Sequence, residues 1–249
     1  MFKKNIEDFL VNYNYDFIHK ENTTSTMYDV RNYLENRNKN CIYLSDQQSE
    51  GRGQRGNRWL SPSGNIYCSI SFNNFLKMRE HHLFSVLIAL SIKMSLENFN
   101  AKNIYFKWPN DIFYKDKKFA GIISEVINID DRNSYIIIGF GINFISAPQI
   151  KKYQATFVNT FCNIKSINDF FIVFLKILFV NLEQMQKGKD KKLLKTFSKY
   201  LMFIDKEICI VSKNNSTKNG VFRGINGDGS LKLEIEGKIE SVYNGSIKL

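Results

Sequence analysis

The chain has little that would staple it covalently, bind a metal through its own side chains, or anchor it in a membrane. Its four cysteines, Cys41, Cys68, Cys162 and Cys209, lie far apart and form no CxxC pair. Reduced, mostly buried thiols are therefore expected rather than a disulfide framework. The three histidines, His19, His81 and His82, share no ligand spacing with a cysteine or carboxylate, which argues against zinc. His81 and His82 fall at a helix start and read as a capping or surface feature. GxxxxGK[ST] and GxSxG are both absent, so neither a P-loop nor a nucleophile elbow is indicated. The opening MFKKNIEDFL has no signal-peptide core. The greasiest run, FFIVFLKILFV from Phe170 to Val180, is broken by Lys176 and is about half a membrane span; it reads as a buried helix. No internal repeat or helix-turn-helix is visible. A soluble, cytoplasmic protein without a membrane partner is expected.

Acidic residues are also in short supply: Asp and Glu total 24 against 35 for Lys and Arg, a formal net charge of +11. That excess favours anionic partners such as nucleic acid, nucleotide or an acidic protein, without choosing among them. What the chain does have is length and grease. With 249 residues, 43% of them hydrophobic and 14% aromatic, it is long enough for one substantial core and a small second domain.

The element pattern is mixed. Thr24, Ser25 or Thr26 caps a predicted helix from about Met27 to Arg37. CIYLSD and IYCSISF (Ile66 to Phe72) read as strands, and HHLFSVLIALSIKMSLENF as a long buried helix. Strand-like runs follow, broken by PND, by a KDKK hairpin and by glycines, and then two helices, INDFFIVFLKILFVNLEQM and DKKLLKTFSKYL. From about residue 204 the grammar changes to EICIV, GVFRGI, GSLKLEI and KIESVY, short strands between turns and enough for a small barrel. The expected class is α+β: a mixed sheet with packed helices over 1–203 and a small β-barrel domain over 204–249.

Four clusters carry possible chemistry. GRGQRGNRW, Gly51 to Trp59, combines backbone freedom at Gly51, Gly53 and Gly56 with donor forks on Arg52, Arg55 and Arg58. It reads either as a solvated basic turn or as a flap that orders over an anion. In KWPNDI, Pro109 must end a ladder, Trp108 either packs or walls a flat ligand, and Asp111 is either a turn former or a catalytic anion. Lys118 leads straight into the apolar run FAGIISEV, so its charge is aimed inward, whereas Lys115 and Lys117 are expected in solvent. GFGIN, Gly139 to Asn143, ends an apolar strand with small residues and is either a plain turn or backbone close to a ligand.

Taken together, EGRGQRGNRWLSPSGNIYCSI, FKWPNDIFYKDKKFAGIISEV and IIIGFGINF resemble, in order and spacing, the biotin protein ligase family. The resemblance covers nearly the whole chain, including an SH3-like C-terminal domain, and is to the stand-alone members that lack a DNA-binding domain. It implies a class II synthetase-like biotin/lipoate ligase fold. It implies that biotin and ATP give biotinyl-5′-AMP, with Mg2+, and that biotin then passes to a lysine of the carrier domain of a biotin carboxyl carrier protein. DNA is not an implied partner, and members occur as monomers or homodimers. By position, Ser25, Thr26, Gln48, Gly51, Arg52, Gly53, Lys118, Gly121 and Ile123 are the implied biotin residues. Arg55, Arg58, Trp59, Trp108, Asn110 and Asn143 fall on the ATP side, with Trp108 near the adenine. Lys118, Arg52, Arg55 and Asp111 are the implied catalytic set, Asp111 also at the metal. One departure stands out: where the family has Asp-Ser-Thr-Asn, this chain has Thr24, Ser25, Thr26 and Met27, and Met27 cannot hydrogen-bond as an asparagine does. Two competing readings are a sister ligase acting on lipoate and a basic nucleic-acid-binding protein. The first lacks its expected histidine-aspartate pair, and the second lacks a basic aromatic platform in KLEIEGKIE.

Overall fold

The computed structural model describes residues 2–73, 81–129, 134–150, 153–212 and 214–248. The larger sheet contains β1 (Asp16–Thr23), β2 (Cys41–Gln48), β3 (Ile66–Asn73), β4 (Ile104–Lys107), β5 (Asp111–Tyr114), β6 (Lys117–Asn128) and β7 (Ser134–Ile142). They lie in the order β1-β2-β3-β7-β6-β5-β4. β1 runs parallel to β2, and every other neighbouring pair is antiparallel. Among the described residues five α-helices accompany it: α1 (Phe2–Leu10), α2 (Thr26–Arg37), α3 (His82–Asn98), α4 (Ile167–Gln186) and α5 (Asp190–Ser198).

Strand alternation decides which face each helix covers. Ile42, Leu44, Ile136, Ile138 and Phe140 point into one large core with α1, α3, α4 and α5. The residues between them, Cys41, Tyr43, Tyr135 and Ile137, point the other way and pack under Met27, Val30 and Leu34 of α2. α4 carries the FFIVFL run as a buried helix with Phe170, Phe171, Phe174 and Phe179 in the core. No helix among the described residues is long and apolar enough to cross a membrane. The cysteines are free, and Cys41, Cys68 and Cys162 are buried.

The second sheet is β11-β10-β9-β8-β12, built from β8 (Glu207–Val211), β9 (Thr217–Ile225), β10 (Leu231–Ile235), β11 (Lys238–Val242) and β12 (Ser246–Lys248). Between the sheets, Phe106 of β4 still bonds Tyr200 and Met202, whereas Asp205 already pairs with Phe222. The α+β class is therefore observed, with two differences in detail. α1 and β1 occupy the opening segment, to which the pattern assigned no element, because DFIHKENT buries too few side chains to alternate clearly. β12, at three residues, is too short to announce itself.

Candidate active site

The face covered by α2 is also where the site lies. Past the N-terminus of α2 the sheet stops presenting large side chains: Ser69 on β3, Gly139 and Gly141 on β7, and Gly121 on β6 follow instead. Gly121 pairs with Gly141 and Ile123 with Gly139 in register, so small residues meet side by side and the face becomes concave. The glycines let Met27 and Trp59 lie close against the sheet. A Cβ on Gly139 would stand 2.6 Å from Sδ of Met27, and one on Gly141 2.4 Å from Nε1 of Trp59.

One end of the cavity is polar. Ser25, Thr26 and Gln48 line it, and Gln48 Oε1 accepts from the backbone N–H of Thr26 at 2.9 Å and from its hydroxyl at 3.1 Å. The Thr26 and Ser69 hydroxyls are 2.7 Å apart. Ser25 is the residue before α2, but its side chain caps nothing; its Oγ is buried without a hydrogen-bond partner. An orphan of that kind costs about 1–3 kcal/mol unless something outside the chain supplies the partner.

The other end is cationic. Lys118 at the start of β6 is 12% exposed, and its Nζ lies 2.6 Å from Oδ1 of Asp111. Lys115 and Lys117 on the adjoining turn are exposed, as expected. Asn110 lines the cavity and is pinned by its Nδ2 donating to the Ile122 carbonyl at 2.8 Å. Lys107, the cross-strand partner of Asp111, has its ammonium pKa lowered by burial, partly offset by Asp111 and lowered further by Lys118. Trp59 lies between the two ends. Its indole rests on Gly121 and Gly141, and its Nε1 is a second buried donor without a partner.

The glycine-rich loop borders this cavity but has not delivered all its arginines to it. About 50 Å³ of room remains inside, against about 690 Å³ in the groove beneath the loop. Arg52 lines both and is 3.2 Å from Glu125. Arg55, held at φ 58°, points at the second sheet and donates to the Val211 carbonyl at 3.1 Å and to Ser246 Oγ at 3.2 Å. Arg58 donates to the Ser49 carbonyl at 2.5 Å. Gly51 is enclosed by Trp59, Ser61 and Gln48, where a Cβ would clash at 2.4 Å.

The structure thus gathers Ser25, Thr26, Gln48, Arg52, Gly53, Trp59, Asn110, Lys118, Gly121 and Ile123 around one cavity and leaves others outside it. Trp108 is 2% exposed and sits in the core, its Nε1 donating to the Gly229 carbonyl at 3.0 Å. It offers no free ring face for an adenine, and the packing alternative is the one observed. Asn143 is 3% exposed, and its Nδ2 donates to the Thr156 carbonyl at 3.1 Å; it braces a neighbouring segment. His81 precedes α3 without a side-chain cap bond, and His82 is wedged under Gly229 of the second sheet, its Nε2 buried without a partner. The capping reading of the pair does not hold. The motif reading did not single out Gln54, Ile122 and Phe140, which also line the cavity. Only the flanking motifs hinted at them. No group of three or more Asp, Glu, His or Cys side chains converges among the described residues.

This geometry has relatives. The model of the biotin/lipoate A/B protein ligase family matches residues 17–143. The chain is similar to the bifunctional ligase/repressor BirA of Escherichia coli, 27% identical over 211 residues that cover 83% of this chain and 65% of that protein. It is also similar to the biotin–protein ligase of Homo sapiens, 31% identical over 128 residues, 49% of this chain and 18% of that one. Its fold is that of the biotin protein ligase of Aquifex aeolicus solved with biotin and ATP, at a TM-score of 0.77 and 22% identity, covering 94% of this chain and 97% of that one.

Proposed function

The chain belongs to the biotin/lipoate A/B protein ligase family, and we propose that it activates biotin with ATP and transfers it to a protein lysine. In the first step a biotin carboxylate oxygen bonds the α-phosphorus and pyrophosphate leaves, giving biotinyl-5′-AMP. In the second, the amine of a carrier-domain lysine takes the acyl carbon, AMP leaves, and the amine loses its proton to solvent. The acetyl-CoA-carboxylase ligase of Paracoccus denitrificans, 30% identical over 113 residues, supports a carboxylase carrier.

The observation that carries this reading is the polarity of the cavity from end to end. Ser25, Thr26 and Gln48 suit a compact ring with N–H and C=O groups, and the glycine floor under Trp59 suits its apolar body. Lys118 stands where a carboxylate tail would arrive. Joining a carboxylate to a triphosphate brings two anions together, and a fixed cation in a half-enclosed site offsets that repulsion as charge builds on the α-phosphate. Holding both reactants in line supplies the orientation. Asp111 is a single carboxylate at this end, which suits Mg2+, an ion that takes one or two protein carboxylates and fills its shell with phosphate oxygens and water. When bound, Mg2+ would neutralise phosphate charge there. Arg55 and Arg58 reach the phosphates only if the loop leaves its present contacts, so we assign the Gly51–Trp59 segment as the lid that closes over the adenylate and excludes water.

Purified protein offered ATP with biotin or with lipoate tests the reading. Pyrophosphate release with biotin and not with lipoate is expected; release with lipoate alone would replace biotin by its sister substrate.

A further inference from the structure

Lys118 is held from a direction that the motifs did not reveal. The segment after β7 returns alongside the start of β6, and Ala155 bridges Lys118 in parallel. The Lys118 N–H donates to the Gln154 carbonyl at 2.9 Å, and the Thr156 N–H donates to the Lys118 carbonyl at 2.9 Å. Both backbone groups of Lys118 are thus tied to one short strap. Asn143 holds the strap in turn, its Nδ2 on the Thr156 carbonyl and its own carbonyl accepting from Val158 at 2.9 Å.

The strap ends in Tyr153, whose ring centroid is 5.0 Å from Nζ of Lys118; the Trp59 ring is 5.4 Å away. Asp111 pairs with the same ammonium at 2.6 Å. Gly121 lies beside the same side chain, a Cβ there falling 3.5 Å from Nζ. Burial, and then the charge of Asp111, push the Tyr153 phenol up to about 12, so at neutral pH the ring faces the cation as a neutral aromatic. A cation over an aromatic face is attracted by the ring quadrupole.

We propose that Tyr153 is a positioning residue: its ring, carried on the Asn143-braced strap, holds the Lys118 ammonium at the mouth of the cavity. The proposal deepens the adenylation reading and rests on it for its effect on rate, but its structural content is independent. The ring face does the holding, so phenylalanine substitutes for tyrosine and leucine does not.

Two measurements on the full chain test it. The first is the rate at which an N-hydroxysuccinimide ester of acetate acylates Lys118, followed by peptide mass spectrometry. Tyr153→Leu raises it about tenfold, while Tyr153→Phe stays within about twofold of the parent. The second is steady-state pyrophosphate release: Tyr153→Leu lowers kcat about tenfold with KM for biotin within about twofold, and Tyr153→Phe restores it. Parent-like labelling and kcat in Tyr153→Leu overturn the proposal. So does an equal effect of Tyr153→Phe, which would move the role to the hydroxyl, and so does a change in KM alone, which would make Tyr153 a binding group. If the parent releases no pyrophosphate with either acid, the adenylation reading fails and the labelling rates alone decide the positioning role.

Discussion

Among the described residues, two places bury a polar side-chain atom without a partner, and they differ in what lies opposite. At the cavity, Ser25 Oγ and Trp59 Nε1 belong to side chains that line a space together with Gly121, Gly139 and Gly141. Where α3 meets the Asn226–Ser230 turn of the second sheet, His82 Nε2 is buried without a partner, and Gly229 is so close that a Cβ would be 2.1 Å from the imidazole. The same anomaly has opposite meanings. Where a cavity adjoins the atom, a partner can come from outside the chain. Where a turn seals the atom in, the group is kept neutral: burial lowers the His82 pKa to about 4, and Asp228 restores only part of the loss. A buried orphan is thus a sign of binding only when space accompanies it.

That contrast can be broken most sharply at the cavity floor. Gly141→Val places a branched side chain where the Trp59 indole rests, yet valine suits a strand and Trp59 belongs to a half-exposed loop that can give way. Biotin affinity is expected to fall at least about 100-fold, with the melting temperature within a few degrees of the parent. Isothermal titration alongside thermal denaturation checks both, and a parent-like affinity would mean the ligand does not lie on this floor.

The contact should instead answer to pH. His82 has a folded pKa below its ordinary value of 6.5, so the unfolded chain binds the extra proton first. The contribution of neutral His82 is whole above about pH 6.5 and is lost as pH falls towards 4, amounting to about 3 kcal/mol. Denaturant melts across that window should show the loss in the parent. In His82→Leu the slope is expected to be shallower by about one proton. An unchanged slope would show that the imidazole is not what the turn seals.

Ser25→Ala is the finest of these tests, because binding and stability should move apart. Removing the orphan hydroxyl is expected to leave the free protein as stable or up to about 1 kcal/mol more so. The biotin KM should rise about tenfold as a ligand hydrogen bond is lost. Loss of stability with no change in KM would make Ser25 a structural residue after all.

Much of this was legible in the chain because it is local. The run into FAGIISEV forecasts that Lys118 turns inward while Lys117 stays in solvent, and both follow from adjacency to an apolar strand. GFGIN reads as either a plain turn or backbone close to a ligand, and Gly139 and Gly141 line the cavity. Trp108 and Asn143 were less legible. Both stand in motifs that resemble site residues, and both are turned by packing towards partners outside their motifs, Trp108 to Gly229, 121 positions away, and Asn143 to Thr156, 13 positions away. Their types permitted either role, and only the neighbours chose.

The sequence by itself determined the mixed α+β architecture, the glycine-rich loop, and the family, because alternation, turn residues and motif spacing are properties of contiguous residues. Tertiary structure decided three things. It made the α2 face of the sheet concave, since the small residues of β3, β6 and β7 meet only through strand register. It carried Arg55 to the second sheet, away from the cavity. And it laid Tyr153 beside Lys118, which is 35 positions earlier in the numbering (153 − 118). Side-chain charge and backbone freedom are written residue by residue, but which atom answers which is settled only when distant segments pack.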